Sequence, residues 1–143
     1  MKHIDQYYWF ASQAFEGLVY FWPVTLCLLV FILLTAIKYS QIEKIRFSLR
    51  YLLILTPPLL IIATLSIGIF WQFSYSENPG ARPPSWPSTL LMILFGAHFP
   101  LAAFIGYKLK EIRWLTVAIV ALQVWYALWC SAVASMSVTG DWL

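Results

Sequence analysis

Residues 89–107 read TLLMILFGAHFPLAAFIGY, about 19 apolar residues in a row and roughly the length that crosses a bilayer as a helix. At the centre stands His98, the only Asp, Glu, Lys, Arg or His inside any long apolar run of this chain. Three further runs of similar length occupy 17–37, 51–72 and 114–136. The chain of 143 residues is 62% hydrophobic and only 10% charged. Soluble domains carry about 25% charged residues, and a fold of this size cannot hide so much apolar surface from water. The expected class is an all-α membrane protein, with the whole chain, 1–143, forming one four-span transmembrane domain. The spans would pack as an antiparallel bundle around the helix that carries His98.

The charges set the expected orientation. Seven of the nine Lys and Arg lie in 38–50 and 108–113, the turns after the first and third spans, and the other two are Lys2 and Arg82. The positive-inside rule places both basic loops in the cytoplasm and both termini on the non-cytoplasmic side. The location expected is a bacterial inner membrane or an equivalent energy-converting membrane. Two aromatic belts agree with the boundaries: Trp9, Trp71, Trp86 and Trp142 at the outer face, and Tyr39, Tyr51, Tyr107 and Trp114 at the inner face. The net charge of +3 does not suit nucleic acid, because the cations sit in membrane loops rather than on a soluble stripe. Residues 1–16 are polar and aromatic, which predicts a short interfacial helix or lead-in to the first span.

Prolines punctuate the spans. Pro23 marks a first helical turn or a kink; Pro57 and Pro58 predict a break, and Pro100 lies within the third span. Carbonyls freed by the prolines near 57 need partners from Thr56, from neighbouring helices or from water. Residues 73–88 are rich in proline, favour extended backbone, and carry a turn at 78–80. That loop serves as a docking surface or as a stiff connector. Small residues one turn apart offer close helix packing: Thr64 and Gly68, Ala102 and Gly106, and Ala127, Ser131 and Ser135.

His98 and Gln123 lie nine residues from Tyr107 and Trp114, at the ends of the third and fourth spans, which puts both about 13–14 Å from the inner face. Equal depth predicts a His98–Gln123 hydrogen bond across the hairpin. The sharper reading makes His98 a ligand to haem b or a hydrogen-bond partner of a quinone, since intramembrane ionisable groups are functional candidates. Catalysis has little support. The carboxylates all fall at or outside the span ends, and no HExxH, GxSxG or phosphate-binding loop occurs. Cys27 and Cys130 sit at different depths, in no CxxC pair, so neither a disulfide nor a metal site is expected.

The leading expectation is a non-catalytic integral subunit of a larger membrane complex, respiratory or otherwise energy-converting, with an accessory, structural or assembly role. Its partners would be other membrane subunits and lipid. The alternatives are a redox subunit using His98, and a small channel or carrier bent at Pro57 and Pro58.

Overall fold

A computed structural model of the chain describes residues 2–40, 49–73 and 81–140. Among these residues there are five α-helices and no strand: α1 (Lys2–Tyr20), α2 (Trp22–Ser40), α3 (Thr56–Phe70), α4 (Ser85–Lys108) and α5 (Arg113–Thr139). Tight 3-10 turns at Leu49–Leu55 and Lys110–Ile112 lead into α3 and α5. Four stretches are long and apolar enough to cross a membrane: Trp22–Tyr39, Tyr51–Phe70, Ser85–Lys108 and Lys110–Thr139. The class is therefore the membrane-helical one expected. The cations at 44 and 46, the turn at 78–80, and the aromatic anchors at 75 and 142 lie outside the described residues.

The first span is corrected. The helix breaks at Phe21, inside the stretch 17–37, so Gly17–Tyr20 belong to α1. Pro23 supplies the reason. It lacks the N–H that the Val19 carbonyl would bond, so the α1 ladder cannot continue through it. Pro23 sits instead at the second position of α2, where the missing donor is harmless. The hydroxyl of Thr25 donates to the Leu18 carbonyl at 2.8 Å and ties the two helices across the break.

Nor is α1 a short lead-in. It runs 19 residues and buries Phe10 and Ala14 in a cluster with Ile61, Leu65 and Ile69 of α3 and Ala127, Cys130 and Val133 of α5. The Tyr7 hydroxyl lies 2.6 Å from Ser66 Oγ. Since Ser66 donates its own proton to the Ile62 carbonyl, Tyr7 is the donor.

The organising helix is α5, not the His98 helix quoted first. It packs against α1, α2, α3 and α4. Its aromatic side chains face α1 and α2: Trp125 Nε1 donates to Thr25 Oγ1 at 3.2 Å, Tyr126 donates to the Ala11 carbonyl at 3.2 Å, and Trp129 stacks on Phe21 with centroids 5.1 Å apart. Helix α4 reaches its neighbours through Leu91, His98 and Ile105, at intervals of seven residues. Leu91 clusters with Ile67, Ala134 and Val138; Ile105 clusters with Tyr39, Leu109, Ile112 and Val120. Tyr39 is thus part of a buried cluster rather than of an exposed belt.

Helix α4 begins four residues before the expected start, on an extended Pro84 with φ −64° and ψ 138°. Trp71 and Trp86 meet edge to face across the ends of the Pro-rich connection, with centroids 5.0 Å apart. Pro100 leaves α4 a single helix. The carbonyl it orphans is that of Gly96, which is exposed.

The small residues fall into two groups. Thr64, Gly68 and Ala127 are buried at helix contacts, whereas Ala102, Gly106, Ser131 and Ser135 are half-buried. Gly68 marks a tight crossing between α3 and α5, because a Cβ there would lie 2.9 Å from Ala134 Cα and 3.0 Å from the Phe10 ring. A Cβ on Gly96 would meet nothing within 4 Å. Gly68→Ala should therefore destabilise the protein by about 1–3 kcal/mol, the range for overpacking. Gly96→Ala should be neutral or stabilise by up to about 1 kcal/mol. Thermal midpoints of the two variants in one detergent check the contrast.

Candidate functional site

The candidate site begins with backbone groups that two prolines leave without partners. In a helical ladder the carbonyl of residue i accepts from the N–H of i+4, or of i+3 in a 3-10 turn. The Leu53 carbonyl faces Pro57 at i+4. The Ile54 carbonyl faces Pro57 at i+3 and Pro58 at i+4, so neither type of helix can satisfy it. In hydrocarbon an unpaired carbonyl costs several kcal/mol. Two side chains answer. Thr56 Oγ1 donates to the Leu53 carbonyl at 2.6 Å, and Gln123 Nε2 of α5 donates to the Ile54 carbonyl at 3.1 Å. Because Pro57 and Pro58 stand at the start of α3, the backbone passes from 3-10 to α there without losing the helix.

Gln123 belongs to a stripe. Thr116, Gln123, Cys130 and Ser137 recur every seventh residue along α5, and all but the half-buried Gln123 are fully buried. Ser137 Oγ donates to the Gly68 carbonyl at 2.7 Å, and the Phe73 N–H donates to the Ser137 carbonyl at 2.9 Å. Gln123 meets Ile54 and Ser137 meets Gly68, two heptads further on along both strands of the pair. Helices α3 and α5 therefore run in the same direction, in one register, pinned at both ends by side chains that reach main-chain carbonyls. Cys27 and Cys130 are both free thiols, the first exposed and the second buried.

The expected His98–Gln123 bond does not form. Equal depth placed the two groups level, but Gln123 turns to the vacant Ile54 carbonyl on α3. His98, with 1% of its surface exposed, turns to its own helix, where Nδ1 lies 2.9 Å from the Leu94 carbonyl. A carbonyl only accepts, so Nδ1 carries the hydrogen in this bond. His98 Nε2 and Gln123 Oε1 are both buried without a hydrogen-bond partner. A donor to a main-chain carbonyl at Nδ1 and an open Nε2 is also the arrangement by which histidines are oriented as ligands.

Two clefts of about 590 Å³ flank α2 on either side of α5, and His98 lines neither. One lies between α2 and α4, walled by Leu28, Phe99, Ala103 and Val117; the other lies between α2 and α3, walled by Leu29, Pro58, Ile62 and Leu122, with Gln123 and Tyr126 at its floor. Phe95, its ring centroid 6.3 Å from the His98 ring, stands in the wall of the first.

Residue patterns alone missed Ile54 and Ser137. The signal for Ile54 was its place four residues before Pro58; for Ser137 it was the seven-residue recurrence of polar side chains through an apolar helix.

No model of a known protein family, no curated protein and no solved structure matches this chain.

The accounting of carbonyls is testable as a double-mutant cycle. Gln123→Leu should cost about 1 kcal/mol, in keeping with interhelical hydrogen bonds in membranes. Pro58→Ala restores an N–H opposite Ile54, so the same Gln123→Leu change should cost well under half as much in that background. Unfolding in mixed detergent micelles measures all four corners. His98→Leu removes a polar atom that has no partner, and its thermal midpoint should stay level or rise.

Proposed function

We propose that this chain is a non-catalytic, integral subunit of a larger membrane complex, with an accessory, structural or assembly role. Its spans would form an antiparallel bundle, with the basic turns in the cytoplasm and both termini on the opposite side. The observation that carries the reading is the isolation of α2. Only 11% of its span is buried, against 39% of Tyr51–Phe70, although it is apolar on every face. It rests on α5, with a shorter contact to α1. Leu26, Val30, Leu33, Leu34 and Ile37 all face outward. Such a helix presents a broad surface to neighbouring spans, while α5 holds it in place through Trp125 and Thr25. The outward Tyr8, Phe15 and Tyr20 of α1 extend that surface beyond the break. The hydrogen bonds traced among the spans also serve the fold itself: they cap freed carbonyls and join helices.

A second reading is favoured by one atom. Nε2 of His98 is buried, open and oriented by its Nδ1 bond, which suits a redox subunit in which this residue binds haem b or hydrogen-bonds a quinone. Mild detergent extraction of the tagged chain from its native membrane, followed by mass spectrometry, separates the two. The subunit reading expects partner membrane proteins at constant stoichiometry and no visible absorption that depends on His98. A protein that purifies alone, with a haem spectrum abolished by His98→Ala, would reverse the order of the readings.

A further inference from the structure

We propose that the cleft between α2 and α4 holds one anionic phospholipid, with an acyl chain along the cleft and the phosphate at its basic end. The inference rests on the spans crossing a bilayer, and not on membership of a complex.

The cleft is lined on α4 by the ridge Phe99 and Ala103 and on α5 by the ridge Val117 and Ala121, with Leu28 of α2 as the third wall. Alanines at the second step of each ridge leave the space open. Both ridges run to the same end of the molecule. One turn beyond Ala103 is Tyr107, and the ammonium of Lys110 lies 4.4 Å from the centre of its ring. One turn beyond Val117 is Arg113, with its guanidinium 5.2 Å from the centre of the Trp114 ring. Residues four apart share a helix face, so Tyr107 and Arg113 head the same two walls that line the cleft.

Lys108, Lys110 and Arg113 are all exposed, and Glu111 is the single carboxylate on that turn. Lys38, also exposed, closes the last turn of α2 on the same side, beside the buried Tyr39. An apolar cleft about 590 Å³ in volume thus opens under a group of cations at membrane depth. Its chemistry is complementary to a molecule with a long hydrocarbon tail and a phosphate head. Arg113 can meet phosphate with two parallel N–H bonds, while stacking on Trp114 and Tyr107 leaves the donors of both cations free.

The occupant is specific to this cleft. No Lys or Arg stands within four residues of any residue lining the cleft between α2 and α3, and Glu16 adjoins that one at Phe15. Basic pockets between spans on the cytoplasmic side favour anionic headgroups, whereas an apolar cleft without cations has no such preference.

The test uses the full chain in mild non-ionic detergent, given dioleoylphosphatidylglycerol or zwitterionic dioleoylphosphatidylcholine at equal concentration. Native mass spectrometry counts the retained lipid, and the thermal midpoint gives a second readout. One phosphatidylglycerol should be retained about tenfold more strongly than phosphatidylcholine and should raise the midpoint. Lys110→Gln combined with Arg113→Gln, both exposed positions, should bring the two lipids to within about twofold. Ala103→Phe, also exposed, fills the cleft and should abolish the single retained lipid while the unliganded midpoint is unchanged. Arg82→Gln, in the connection that precedes α4 at its opposite end, should leave the preference intact. Equal retention of the two lipids overturns the proposal. So does a preference that survives Ala103→Phe, which would make the contact a headgroup effect without the cleft, or one lost equally on Arg82→Gln, which would make it net charge alone.

Discussion

The carbonyl of Ile54 is the constraint on which the rest depends. Pro57 and Pro58 remove both donors that a helix could offer it, and hydrocarbon offers none. A side chain from another span has to arrive at that height, and Gln123 does so at 3.1 Å. That bond fixes how far α5 stands along α3. Two heptads further out, Ser137 reaches the Gly68 carbonyl at 2.7 Å, and at Gly68 a Cβ would lie 2.9 Å from Ala134. A slip by one residue would break both bonds and drive a side chain into Ala134. With α3 and α5 locked, the opposite face of α5 is set, and its Trp125, Tyr126 and Trp129 hold α1 and α2.

A membrane helix pair gains no hydrophobic free energy by associating, since lipid is as apolar as its own side chains. What selects this arrangement is close packing at Gly68 together with a few hydrogen bonds to backbone groups that would otherwise be unpaired. The polar residues of the spans mostly serve that end. Thr25, Thr56, Ser66, Gln123 and Ser137 each bond a main-chain carbonyl. His98 and Gln123 each keep one polar atom on a carbonyl and the other without a partner.

Helix α2 gives the molecule its lopsided form. It is apolar on all sides and leans on α5, which opens a cleft to its left and right. The cleft toward α4 ends among cations and the cleft toward α3 does not. The asymmetry traces to the turn of Lys110–Ile112, which crowds Lys108, Lys110 and Arg113 against the ends of two ridges. The outward face of α2 is apolar and exposed.

The membrane-helical class and the presence of four stretches long and apolar enough to span were legible from residue order, because hydropathy and span length act locally. The need for Thr56 or a neighbouring helix to serve the carbonyls near Pro57 and Pro58 followed from the same local reasoning. Which partner Gln123 would take was a different matter. Depth along a helix is a property of the sequence, but the side of the helix that faces a given neighbour is not. Counting from the span ends placed His98 and Gln123 level, and only the packed structure shows Gln123 turned to α3 and His98 to its own turn. The same holds for the extent of α1 and for the central place of α5: each is set by contacts between spans far apart in the chain, and composition is blind to which spans meet.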